Sequence, residues 1–129
     1  MAEASNTNRR TRKPAPVDNT YGHLPPQATD LEKVVLGALM IDKDAFAVVS
    51  ELLHPETFYE PRHQKIYTAI RSLNMDEKPV DIMTVTEQLK RDGTIDDVGG
   101  APYVVELSSQ VASSAHIEYH AAILAHKFL

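Results

Sequence analysis

From Thr29 onward in this 129-residue chain, apolar side chains return every three or four positions. Nowhere do they alternate with polar ones over more than four residues, short β-branched clusters such as Val104-Val105 aside. That period belongs to the α-helix and excludes a half-buried sheet as the organising element. Leu31, Val34, Val35, Ala38 and Leu39 fall at i, i+3, i+4, i+7 and i+8 and make one apolar stripe. Ahead of it, Thr29-Asp30-Leu31-Glu32 has the form of a capping box, with the Glu32 carboxylate serving a free amide. Gly37 interrupts the same helix at about 1 kcal/mol relative to Ala, which implies close approach of a neighbouring helix.

The later segments repeat the pattern. Asp42 is placed to cap a second helix through Ala45, Phe46, Val48, Val49, Leu52 and Leu53, stopped by His54-Pro55. Pro61 suits the first turn of a third, followed by His63, Ile66, Tyr67, Ile70 and Leu73. Asp81 is a strong N-cap for Ile82, Val85 and Leu89, and Gly93 supplies a left-handed stop. Gly99-Gly100 punctuates before Tyr103, Val104 and Leu107, and Ser113 or Ser114 can cap a last helix. The expected fold is all-α: one compact bundle of six helices over residues 29–129, with no internal repeat of solenoid length.

Residues 1–28 differ in kind. They hold Arg9, Arg10, Arg12 and Lys13 against Glu3 and Asp18, a net of +2, with few large apolar side chains. A disordered basic tail is the expectation there. The other residues hold 9 basic and 16 acidic side chains, a net of −7. Binding duplex DNA requires a basic face that displaces counterions from phosphates, which an acidic domain does not offer. The chain has no cysteine, so disulfides and thiolate metal sites are excluded. No apolar run approaches the roughly 20 residues that cross a bilayer, and the basic start has no hydrophobic segment behind it. A cytoplasmic location is expected.

Few constellations carry chemistry. His116 and His120, one helical turn apart, could present two imidazoles to a metal, with Glu106 or His126 as a third ligand. Glu118 lies between them but not directly after the first histidine, as the metalloprotease motif requires. Surface or interface histidines are the simpler reading. For His63, a half-buried histidine bonded to backbone is simpler than an acid or base, since spacing positions no carboxylate beside it. Gly99-Gly100 is not followed by Lys-Ser or Lys-Thr, and no GxGxxG occurs, so no nucleotide site is expected. No catalytic, cofactor-binding or metal residue is assigned. The last helix carries two stripes: Ile117, Ala121, Leu124 and Phe128, and beside it Ala115, Tyr119, Ala122, Ile123 and His126. One buried face is enough for a peripheral helix, so Tyr119, Ala122, Ile123 and His126 are interface candidates.

Four segments in order carry a family resemblance. They are Leu24-Pro25-Pro26 with DLEKVVLGALMID at 30–42, FYEPRHQKIYTAI at 58–70, KPVDIMTVTEQLKRDG at 78–93 and DVGGAPYVVEL at 97–107. Together they resemble the N-terminal domain of DnaB-type bacterial replicative DNA helicases over residues 24–129. The matching positions include Glu32, Val35 and Gly37, then Phe58, Tyr59, His63 and Ile66, then Pro79, Val80, Asp81, Thr84 and Leu89, then Gly99, Gly100 and Tyr103. Asp30-Leu31-Glu32 stands where members often have Glu-Ala-Glu. The family's helical hairpin, linker and RecA-like ATPase domain have no counterpart in these residues.

The resemblance implies a full-length homohexamer that hydrolyses ATP with magnesium in its C-terminal domains. Such a ring translocates 5′-to-3′ on single-stranded DNA, which it grips through the motor. The N-terminal domains form a collar that supports assembly and docks primase, and a helicase loader is a further expected partner. By itself this chain is expected to be inactive as an ATPase and to be a monomer or weak dimer. Two rivals are a small metal-dependent helical hydrolase using His116 and His120, and a free-standing helical adaptor.

Overall fold

The computed structural model describes residues 26–111 and 113–128. Six α-helices and one 3₁₀ turn account for the regular structure among them: α1 Pro26–Ile41, α2 Ala45–Val49, the turn Pro55–Thr57, α3 Pro61–Met75, α4 Ile82–Asp92, α5 Gly100–Ser109 and α6 Ile117–Phe128. No strand occurs among the described residues. Residues 1–25, with the four basic side chains of the expected tail, lie outside the description.

α1 is the centre of the bundle. It packs against α2, α3, α5 and α6, while α3 lies along α4 and α4 along α5. The expected single stripe is therefore too narrow. Val35, Leu36, Ala38, Leu39 and Met40 are all buried, and consecutive burial is what a helix surrounded by others requires. Gly37 marks the closest approach, because a Cβ there would collide with the Leu107 carbonyl oxygen of α5 and with the Val111 side chain. Phe46, Phe58 and Tyr67 stack in the core at ring separations of 5.8 and 5.2 Å, and the Tyr67 hydroxyl donates to the Leu53 carbonyl at 2.8 Å.

Several boundaries differ from the sequence expectation, each for a local reason. α1 starts at Pro26, so three residues assigned to the tail are helical and Thr29–Glu32 lies inside the helix. Pro is favoured in a first turn because its missing N–H has no partner there anyway. α2 stops at Val49 rather than Leu53: the Val49 carbonyl accepts from the Leu52 and Leu53 N–H groups in a closing turn, and His54, before Pro55, is extended. Asp42 does not cap α2 directly; its carboxylate accepts from the Asp44 N–H at 2.9 Å and from the Ser114 hydroxyl at 2.5 Å. Those two donors hold the Asp42 carboxyl below its usual range. Ser114 is thereby committed to Asp42, and Ser113 accepts from the Ala115 N–H, so α6 begins only at Ile117.

α4 is the most locally determined element. The Asp81 carboxylate accepts from the Thr84 N–H at 2.8 Å, and the Thr84 hydroxyl oxygen accepts from the Asp81 N–H at 2.9 Å. Both orphan amides are satisfied reciprocally. Asp81→Ala should lower stability by about 0.5–2 kcal/mol and Asp81→Asn by much less, readable in urea titrations. Equal losses from both would assign the contribution to charge rather than to the hydrogen bond.

Three turns close with the same bond, from an N–H to the carbonyl five residues back: Lys78 to Leu73, Thr94 to Leu89 and Gly100 to Ile95, each at 2.9 Å. The residue before each donor is left-handed. Two of these are Gly93 and Gly99, at φ 76° and 103°. The third is Glu77 at φ 60°, the one non-glycine with positive φ among the described residues.

Candidate functional site

Three helices each contribute one polar side chain to a single buried cluster. Glu32 of α1 and His63 of α3 are fully buried, and Tyr103 of α5 is 7% exposed. The His63 Nδ1 lies 2.6 Å from Glu32 Oε1, and its Nε2 lies 2.6 Å from the Tyr103 hydroxyl. Glu32 Oε2 accepts from the Tyr59 N–H at 2.6 Å, and Oε1 from the Glu60 N–H at 3.5 Å. The Arg62 guanidinium sits over the Tyr103 ring, 3.9 Å from its centroid, while Arg62 Nε donates to Glu60 at 2.8 Å. Burial pushes the Tyr103 phenol up to about 12; Arg62 opposes the rise and Glu60, Glu106 and Glu32 add to it.

A carboxylate–histidine pair has the form of a general base, but a base must reach a substrate proton. Here both ring nitrogens are occupied and neither residue touches solvent. The cluster is a clamp: it ties α1, the 58–60 segment, α3 and α5 together and satisfies each buried polar group. Two sequence expectations are corrected by it. Glu32 is no helix cap, because α1 begins six residues earlier and the carboxylate points into the core. His63 is buried outright and bonded to side chains, because its partners arrive from 31 and 40 residues away, beyond the reach of local spacing. One signal was present: Glu32 shares a helical face with the apolar Leu36 and Leu39, and a charge on a buried face needs a partner.

α6 offers the second arrangement. Ile117, Ala121 and Leu124 are buried against the domain; the side chain of Phe128, the fourth member of that stripe, lies outside the description. On the outer side Tyr119, Ala122, Ile123 and His126 line one shallow hollow, with Tyr119 67% exposed. All four described lining residues come from α6 itself, so among the described residues no other element covers this helix face. The His116 and His120 rings lie 6.3 Å apart, edge to face. No group of three potential metal ligands occurs among the described residues, and Glu106 faces Lys33 of α1 at 3.8 Å instead. The metal-dependent reading thus finds no third ligand among them. Asp81, Gly99 and Gly100 lie in turns that start α4 and α5; of these, Gly99 packs against Tyr103, whose Cβ would lie 3.2 Å from a Cβ added there.

Residues 24–126 match the family model described as the DnaB-like helicase N-terminal domain. The chain belongs to that family. The match spans α1 to α5 whole and α6 as far as residue 126. Among relatives of this DnaB-like domain, the replicative DNA helicase DnaB of Rhodothermus marinus is 47% identical over 108 residues, covering 84% of the chain and 12% of its own length. The replicative DNA helicase DnaC of Bacillus subtilis is 40% identical over 104 residues, covering 81% of the chain and 23% of its own length. The chain therefore spans less than a quarter of either relative. The crystal structure of the N-terminal domain of DnaB helicase from Mycobacterium tuberculosis superposes with a TM-score of 0.76 at 43% identity, covering 81% of the chain and 76% of that one. Glu32, His63 and Tyr103, one from each of three segments that carried the resemblance, are the residues that meet in the clamp.

Proposed function

We propose that this DnaB-like domain serves as the collar of a ring-shaped replicative helicase, binding sister subunits and primase rather than DNA or nucleotide. In this reading the whole protein is a cytoplasmic homohexamer that hydrolyses ATP with magnesium in C-terminal motor domains and unwinds the fork 5′-to-3′. A helicase loader is a further partner of the ring. Family membership together with the uncovered face of α6 carries the proposal. The helix is already docked through Ile117, Ala121 and Leu124, and no other element among the described residues lines its second apolar face. The acidity of residues 29–129 supports protein contacts over phosphate contacts. No helix among the described residues is long and apolar enough to cross a membrane. Residual DNA affinity belongs to Arg9, Arg10, Arg12 and Lys13, and removing residues 1–28 should abolish it.

Light scattering across a concentration series should show monomer and weak dimer. Ile123→Glu should weaken self-association at least about tenfold, because it places a charge in a face that becomes desolvated. Calorimetry of the same two proteins with the C-terminal domain of the cognate primase tests the second contact. A stable hexamer, or association and primase binding that both ignore the added charge, would remove α6 as the contact surface.

A further inference from the structure

A different end of the bundle carries apolar surface that the collar reading does not use. Met75, in the last turn of α3, is 75% exposed, and Met83, in the first turn of α4, is 74% exposed. Ile82 beside it is 37% exposed, and the connecting loop presents Pro79 to solvent. The core makes no use of these side chains, whereas Met40 is buried to 5%. The rim is acidic: Asp76, Glu77 and Asp81 are all exposed, against Lys78 in the same loop and a half-buried Arg71 one turn before Met75. Neither Asp76 nor Glu77 enters an ion pair among the described residues.

Backbone conformation singles out the same place. The two other turns with this bonding pattern put glycine at the left-handed residue, and this one puts Glu77 there. A left-handed residue with a Cβ costs roughly 1–2 kcal/mol. Folding alone is better served by glycine, so a carboxylate held there calls for a use outside the fold.

The geometry points to a docking surface for an amphipathic helix of a partner protein, with apolar side chains flanked by lysine or arginine. Methionine suits the apolar half of such a contact, being flexible and polarisable enough to fit a helix face it does not match in advance. The acidic rim selects the flanks. It repels the anionic headgroups of a membrane surface, and it disfavours a second copy of this chain, whose own rim would oppose it.

The probe is a synthetic 18-residue helix with leucine on one face and lysine on the other, and its control carries glutamate in place of lysine. With the full chain, the lysine peptide should bind saturably and shift the methyl resonances of Met75 and Met83 but not of Met40. Substituting both, M75K and M83K, should weaken binding about tenfold or more with the helical content unchanged. Glu77→Gly separates docking from folding, because it should raise the melting temperature while weakening the peptide. Three outcomes would overturn the proposal: equal binding of both peptides, binding that ignores M75K/M83K, or a Glu77→Gly variant that binds undiminished. Loss of self-association in M75K/M83K without any peptide would overturn it too, by making a second copy the occupant.

Discussion

Glu32→Ala is expected to destabilise the domain by about 3–5 kcal/mol, the range for breaking a buried polar pair by removing one partner. The magnitude follows from what is left behind. The Tyr59 and Glu60 N–H groups lose their acceptor, and His63 Nδ1 faces the space the carboxylate leaves. Against a typical total of about 5–15 kcal/mol, such a loss unfolds a substantial fraction of molecules at physiological temperature. His63→Ala should act similarly, since it leaves the Glu32 carboxylate buried without its side-chain partner. Tyr103→Phe should cost less, because only one hydroxyl is withdrawn and the ring still stacks on His63 at 5.9 Å and under Arg62. The decisive measurement is a double-mutant cycle by urea denaturation. Glu32→Met with His63→Leu, which removes both polar partners and refills the space, should be far less damaging than the sum of the single losses. Strictly additive losses would mean that Glu32 and His63 act independently and that the clamp does not exist.

Gly37→Ala should also destabilise, by about 1–3 kcal/mol, although the same change on an exposed helix gains about 1 kcal/mol. The sign reverses because the new methyl meets two obstacles of different kinds. Val111 can turn aside, but the Leu107 carbonyl oxygen is backbone and moves only if α5 moves. Gly37→Val should be worse still. Val111→Ala in the Gly37→Ala background should restore part of the loss and not all of it, which thermal denaturation of the four proteins can read. Full restoration would place the whole conflict on the Val111 side chain, and an unchanged or raised melting temperature for Gly37→Ala would mean that α5 yields freely.

These two positions show what the sequence made legible. The tight approach at Gly37 could be inferred because an isolated glycine inside a helical stripe is a local anomaly with few explanations. The cap at Asp81 and the stop at Gly93 were equally readable, since their partners lie within a few residues. Glu32 was misread for the converse reason: a local rule, the capping box, accounted for it and so concealed a partner 31 residues away. The late starts of α2 and α6 have the same origin, because Asp42 and Ser114 look like caps until they are seen to bond each other. The buried stripe of α6, Ile117, Ala121 and Leu124, was legible from periodicity alone. The exposed methionines were not, because Met75 and Met83 occupy helix ends, where a stripe does not distinguish buried from exposed.

The central place of α1 has a consequence for how the chain is made. A ribosome delivers α1 first, yet two of the helices that cover it, α5 and α6, emerge last. At about 5–20 residues per second, the apolar sides of α1 stand uncovered for several seconds during synthesis. Folding by adding consecutive helix pairs cannot cover them, because the sequence-adjacent contacts leave α1 half-sheathed. Such non-local closure slows folding compared with a simple up-and-down bundle. The domain therefore completes its core only once α6 has left the exit tunnel.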